Sequence, residues 1–329
     1  MGKVFKSLFF LIITVLFISG VFLSYINKKI NEKVYINEPV EVEIKKGSSL
    51  KKISELLKEK GIITDEKVFY LYSRIKGKPL KAGFYLFSGH LSIHDIWEIL
   101  YKGKEHLKSF TIYPGDSLFE IGERLEKSFN IKKSDFFAFV FNPYNVKKYG
   151  LEGLSFEGYF PPDTYYFREN ENLKTVVKTF VNLFKKRYFP FKRKLKDFSF
   201  YETMIIASLV EKESSLPDEK PVIAGVIINR LKKGMLLQVD PTTIYALKLA
   251  GRWKGKLTKE NIHFNSLFNT YVVKGLPPTP ICSFSVETFE SVINYKKTDY
   301  LYYLTKDGKK HIFSKTYQEH INVLKGYKR

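Results

Sequence analysis

A segment near the N-terminus recurs 68 residues later, and that recurrence restricts the fold before any other feature does. "VEIKKGSSLKKISELLKEKGIITDEKVFYLY" (42–72) and "FTIYPGDSLFEIGERLEKSFNIKKSDFFAFV" (110–140) superpose without a gap. Gly47 matches Gly115, Ser49 matches Ser117, and the apolar pairs Leu50/Leu118, Ile53/Ile121 and Leu57/Leu125 keep the same phase. A short strand ends at each glycine, where a positive φ is cheap. Ser48 or Asp116 then stands where it can cap a helix whose apolar positions recur at i, i+3 and i+7. A second helix is expected from about Asp65 or Ser134. Each unit is therefore β-turn-α-α, and the stretch between them (80–104) reads as strand, turn and helix.

The stretch "LFFLIITVLFISGVFLSYI" (8–26) is uncharged. At about 1.5 Å per residue it is long enough to cross a ~30 Å hydrocarbon core. A secretory signal would have a shorter apolar region and a small-residue cleavage site, and no such site follows here. The expectation is an uncleaved anchor, with residues 1–7 as a cytoplasmic tail and 27–40 as a linker. Lys3 and Lys6 precede the run, and Lys28, Lys29 and Lys33 follow it, so charge alone does not orient it. A short tail in front, with the remainder behind, puts the N-terminus inside and the rest on the outer side of the inner (cytoplasmic) membrane.

The formal charge of +21 favours anionic partners such as nucleic acid, anionic lipid or an acidic polymer. No DNA- or RNA-binding motif is present, the lysines are spread along the chain, and the topology argues against nucleic acid as a partner. The one cysteine, Cys282, excludes an intramolecular disulfide and reads as a packing residue. The six histidines show no metal-ligand spacing, so neither metal nor cofactor is expected.

From residue 151 aromatic and Pro-Gly-rich loops alternate with helices. "NENLKTVVKTFVNLFKKRYF" is a basic amphipathic helix that Asn170 can cap. "YETMIIASLVEKES" is mostly apolar, and "DEKPVIAGVIINRLKKG" has Pro221 in its first turns and Gly234 after its end. "DPTTIYALKLAG" starts with Asp240 as a cap and Pro241 next to it. "YLYYLTKDGKKHIF" is a hairpin turning at Asp307-Gly308, and "KTYQEHINVLKGY" is a final helix.

Glu211 and Glu213 close the apolar helix two positions apart. Two residues turn about 200° at 3.6 per turn, so the two carboxylates point about 160° apart and cannot act on one bond together. Glu213 shares a face with Ile206, Leu209 and Val210 and lies at the helix C-terminus. Both conditions disfavour its charged form, which suits a general acid. A terminal glutamate bending into solvent fits the same wheel. Three loops offer further polar groups among aromatics: Glu157 and Asp163 in "SFEGYFPPDTYYF", Gln238 and Asp240 in "LLQVDPTTIYAL", and Asn269 and Tyr271 in "FNTYVVKGLPPTPI". Aromatic faces and amides suit carbohydrate. Each group also fits turn chemistry, Asp240 as a cap above all, and Asn229-Arg230 fit helix packing.

"EGYFPPDTY", "ASLVEKES", "VIAGVIINRL", "GMLLQVDPTTIYAL", "NTY" and "GLPPTPI" occur in the order found in the YceG-like family of endolytic murein transglycosylases, which the chain resembles over essentially its whole length. The resemblance implies an α+β fold: one transmembrane helix, a LysM-like module (41–107), a second repeat unit (108–150) and a mixed α+β catalytic domain (151–329). It implies that Glu213, in the E-K-E-S segment, is the catalytic acid and base on a helix, with Glu213-Ser214 similar to the Glu-Ser pair of other lytic transglycosylases. Gln238, Asn269 and Tyr271, then Glu157, Asp163 and Asp240, are the expected substrate-binding residues. The expected partners are peptidoglycan glycan strands and peptidoglycan synthases of the penicillin-binding class. Three other readings stand beside it: a hydrolytic muramidase using Asp240 or Asp163 as second acid, a non-catalytic glycan-binding scaffold, and a polyanion-binding membrane protein.

Overall fold

In the computed structural model, which describes residues 2–103, 107–195, 197–305 and 310–327, the apolar run lies within helix α1 (Gly2–Asn31). The stretch Ile13–Asn31 has a mean hydropathy of 1.4 and is long and apolar enough to cross a membrane. Residues 27–40, expected as a linker, instead finish α1 and begin strand β1 (Val34–Ile44). The reason is packing: Ile26 and Ile30 on the last turns of α1 lie against the core of the first unit.

The chain divides into two compact units, residues 1–107 and 108–329. In the first, β1 is followed by α2 (Leu50–Glu59) and α3 (Glu66–Lys76), then by β2 (Gly83–Leu91) and α4 (Ile93–Lys102). β1 and β2 pair antiparallel from Val34↔Leu91 to Ile44↔Gly83. The helices bury Leu57, Phe69, Ile96 and Leu100 against Tyr85 and Phe87 of β2.

The second unit opens on the second copy of the repeat: β3 (Lys108–Ile112), α5 (Leu118–Ser128) and α6 (Lys133–Val140). The β-turn-α-α reading holds in both copies, with the glycine turns at φ +83° (Gly47) and +85° (Gly115). The caps fall one residue later than expected. Ser49 accepts from Lys52 N–H, and Ser117 forms a capping box with Glu120, whereas Asp116 is held by Arg124.

After α7 (Pro143–Lys148), strand β4 (Asp163–Phe167) pairs antiparallel with β3, Ile112 opposite Asp163. Helix α8 (Leu173–Tyr188) is capped by Asn172, whose side chain accepts from Lys174 N–H, rather than by Asn170. Then come α9 (Phe200–Glu213), α10 (Lys220–Lys232), α11 (Asp240–Leu249) and α12 (Val286–Ile293). The hairpin of β5 (Tyr302–Thr305) and β6 (His311–Ser314) and the helix α13 (Tyr317–Tyr327) follow. The expected turn at Asp307-Gly308 lies outside the described residues.

α9 is the central element. A capping box of Ser199 and Glu202 starts it, and every residue from Thr203 to Val210 is buried. A helix apolar all round for two turns has no solvent face, so it is packed on several sides. Its charged residues are confined to its two ends. Cys282 is buried with its thiol directed at Ser208 O, 3.2 Å away, and burial pushes its pKa well up, so it is a packing residue here.

Candidate active site

The two glutamates at the end of α9 have separate environments. Glu211 points to the N-terminus of α12, where one oxygen accepts from Ser285 N–H (2.9 Å), Ser285 Oγ (3.1 Å) and the Thr288 hydroxyl. The other meets Lys220 Nζ at 3.1 Å, and both side chains are buried. Glu211 is thus fully engaged in joining three helices.

Glu213 instead borders a cleft of about 340 Å³, lined also by Arg230, Gln238, Asp240, Tyr271, Tyr303, Thr305, His311 and His320. Its pKa is raised. Burial is the largest cause; the Asp240 carboxylate adds to it, while the hydrogen bond from Tyr303 Oη to Glu213 Oε2 (2.8 Å) opposes it. The result is a carboxyl that holds its proton to higher pH than an ordinary glutamate, with open space in front of it.

Gln238 and Asp240 bring the loop before α11 and its first residue to the same cleft. Gln238 is the one non-glycine residue at positive φ (+54°) among the described residues. A glutamine held in the left-handed region requires surroundings that over-determine it. Here its backbone N–H donates to Thr270 O (3.1 Å) and its side-chain oxygen accepts from Arg230 Nη1 (3.4 Å). Asp240 is not the cap it was expected to be: Val239 occupies that position and makes no side-chain cap bond. The Asp240 carboxylate accepts instead from Tyr271 Oη at 2.5 Å, and both residues line the cleft.

The structure brings Glu213, Gln238, Asp240 and Tyr271 together; the other three expected site residues lie elsewhere. Asn269 is fully buried, with its amide donating to Ile262 O and Phe264 O and its oxygen accepting from Thr243 Oγ1 and Tyr271 N–H. It can position Tyr271 but has no hydrogen-bonding capacity left for a sugar. Glu157 is also fully buried, accepting from Leu118 N–H at the start of α5 and from Tyr245 Oη (2.8 Å), and burial pushes its pKa up to about 8. Asp163, at the head of β4, pairs with Arg187 Nη2 at 2.5 Å on the surface. The aromatics around these two residues, Phe156, Tyr159, Phe160 and Tyr165, fill the core instead of facing a ligand.

Arg230, Tyr303, His311 and His320 were not expected in the cleft. Asn229 does fix packing, donating to Thr298 O and Tyr300 O, but its neighbour Arg230 has a second position. The guanidinium bonds Leu301 O (2.6 Å) and Leu237 O (2.8 Å) and still lines the cleft, so it ties the hairpin to the Gln238 loop. Tyr303 and His311 come from the hairpin and His320 from α13. Strand periodicity holds a usable signal: Tyr303 pairs Phe313 and Thr305 pairs His311, so these four share one face. Among the described residues no cluster of three His, Cys, Asp or Glu is arranged to hold a metal.

The Tyr303 bond makes a prediction. Its hydroxyl stays protonated, since burial first and Glu213 next push its pKa well up. Removing the donor in Tyr303→Phe raises the Glu213 pKa further. Were Glu213 to work as a protonated acid, activity would fall as pH rises through its pKa, and the expected result is that the alkaline limb of kcat/KM moves to higher pH in Tyr303→Phe. A limb that stays in place would remove Tyr303 as the tuning group.

Residues 42–325 match the YceG-like family. An endolytic murein transglycosylase of Bacillus subtilis (strain 168) is 30% identical over 314 residues, covering 88% of this chain and 84% of the relative. One of Streptococcus pneumoniae serotype 2 (strain D39) is also 30% identical; 83% of this chain matches, over 55% of that longer relative. The crystal structure of a yceG-like protein from Listeria monocytogenes superposes with a TM-score of 0.60 at 30% identity, covering 87% of this chain and 99% of that one.

Proposed function

Because this chain belongs to the YceG-like family, we propose that it is a membrane-anchored lytic transglycosylase that cuts peptidoglycan strands internally. The bond cut is the β-1,4 link between N-acetylmuramic acid and N-acetylglucosamine. Glu213 gives its proton to the glycosidic oxygen as the C1–O bond breaks. The substrate's own acetamido group shares the positive charge at C1. The muramyl C6 hydroxyl then attacks C1 and passes its proton to the Glu213 carboxylate, closing a 1,6-anhydro ring. Glu213 ends as it began and no water is consumed. The observation that carries this reading is Glu213 itself, a carboxyl biased toward its protonated form at the edge of an open polar cleft.

Gln238, Asp240 and Tyr271 hold the sugar opposite the acid, and Asn269 acts behind Tyr271. α1 holds the enzyme in the inner membrane with its N-terminus inside, and the net charge of +21 draws the outer part toward anionic headgroups and glycan carboxylates. There it acts on strands still tethered to lipid, alongside peptidoglycan synthases, with the first unit serving as a LysM-like module that holds glycan.

A second reading has one specific support. Asp240 shares the cleft with Glu213, as a hydrolytic muramidase's second carboxylate would. Product mass separates the two. Purified glycan strands treated with the full-length protein in detergent are expected to yield anhydro ends, lighter by one water than reducing ends. Reducing ends would establish hydrolysis.

A further inference from the structure

One pair, His311 in the cleft wall and Glu219, has no part in that scheme. His311, on β6, is bound to Glu219 twice: its backbone N–H donates to Oε1 at 2.8 Å, and Nδ1 lies 2.7 Å from Oε2. Ser214 Oγ donates to the same Oε2 at 3.2 Å. Glu219 occupies the N-cap position of α10 yet makes no cap bond with its side chain, which is committed to His311. Both His311 and Glu219 side chains are more than nine-tenths buried.

The protonation pattern follows from the partners. Burial pushes the Glu219 carboxyl up, but the side-chain and backbone bonds from His311 outweigh it and hold it below the usual range. An ionised carboxylate only accepts, so Nδ1 carries the hydrogen. Among the described residues nothing hydrogen-bonds Nε2, and the ring lines the cleft. Its neighbour is Tyr303, 5.4 Å away between ring centres, which itself donates to Glu213. Glu213, Tyr303 and His311 therefore stand side by side on one wall.

We propose that His311 touches the glycan, with Nε2 hydrogen-bonding a sugar hydroxyl beside Glu213 and Glu219 acting as the positioning residue that fixes the ring. This rests on the glycan-cleaving reading of the cleft. The plainer role for the pair is structural, pinning the β5–β6 hairpin to the turn between α9 and α10. The two roles use opposite ends of the ring, and two substitutions separate them. The amide of Asn reaches where Nδ1 was, keeping a donor for Glu219 and deleting the cleft end. The amide of Gln reaches where Nε2 was, keeping a hydrogen-bonding group in the cleft and giving up the bond to Glu219.

Full-length wild type, H311N, H311Q and E213Q are compared on purified glycan strands, with product ends weighed and thermal melts recorded. The expected order of kcat/KM is wild type, H311Q, H311N, with H311N about tenfold or more below H311Q although it melts at the higher temperature. An H311N activity equal to or above that of H311Q, including both being inactive, overturns the proposal. Failure of the underlying reading looks different: wild type then yields no anhydro ends, or E213Q yields them at the wild-type rate.

Discussion

Glu213→Gln leaves a folded protein that makes anhydro ends at least about 10³-fold more slowly than wild type, near the upper part of the range for removing a positioned acid or base. The upper part is expected because, in the proposed scheme, one residue serves both steps. Glutamine keeps the shape and can still accept from Tyr303 Oη, so the loss is one of proton transfer, not of packing. Stability moves the other way. The Glu213 pKa is raised in the folded state by burial and by Asp240, so the folded protein binds more protons than the unfolded chain between the two pKa values. Its contribution to stability is therefore greatest below the unfolded pKa and is lost as pH rises through the folded one. Gln has no such titration, and Glu213→Gln melts at or above the wild-type temperature at neutral pH. A variant that retains activity, or that melts well below wild type, would identify Glu213 as a structural carboxylate.

What could be read along the chain and what could not divide by range. The repeat, the hairpin and the helix boundaries depend on signals a few residues apart, such as the Gly47 and Gly115 turns and the Ser199–Glu202 box. Those were legible, with caps misplaced by a residue or two because neighbouring Ser, Asp and Asn compete for the same position. The wheel separated Glu211 from Glu213 correctly, although its premise of one apolar face does not hold, since α9 is buried on all sides from Thr203 to Val210. Polar residues in aromatic loops were the weak point. Nothing local distinguishes Asn269, whose amide is consumed by backbone carbonyls, from Tyr271 two residues on, which faces the cleft. Tyr303 reaches Glu213 across 90 residues of sequence, and no pattern inside the hairpin announces that partner.

Glu211→Ala destabilises the protein by about 3–5 kcal/mol, the cost of stranding one member of a buried ion pair. The magnitude follows from what remains behind. Lys220 Nζ keeps only the Thr288 hydroxyl at 2.7 Å, and the Ser285 N–H at the start of α12 loses its acceptor. The ammonium group is nearly as buried as the carboxylate it has lost, with side-chain exposures of 6% and 5%. Replacing both members by apolar residues of similar volume, Glu211→Leu with Lys220→Met, removes the stranded charge, so the double variant is more stable than Glu211→Ala alone. Urea midpoints with unchanged m-values measure both effects. A single-variant cost below about 1 kcal/mol would match an exposed pair and contradict the burial. The fraction of Glu211→Ala that folds still makes anhydro ends, because this carboxylate is directed at α12 and contributes nothing to the cleft wall. Two glutamates separated by a single residue are thus expected to give opposite results: loss of Glu211 lowers stability and spares the chemistry, while loss of Glu213 spares stability and stops it.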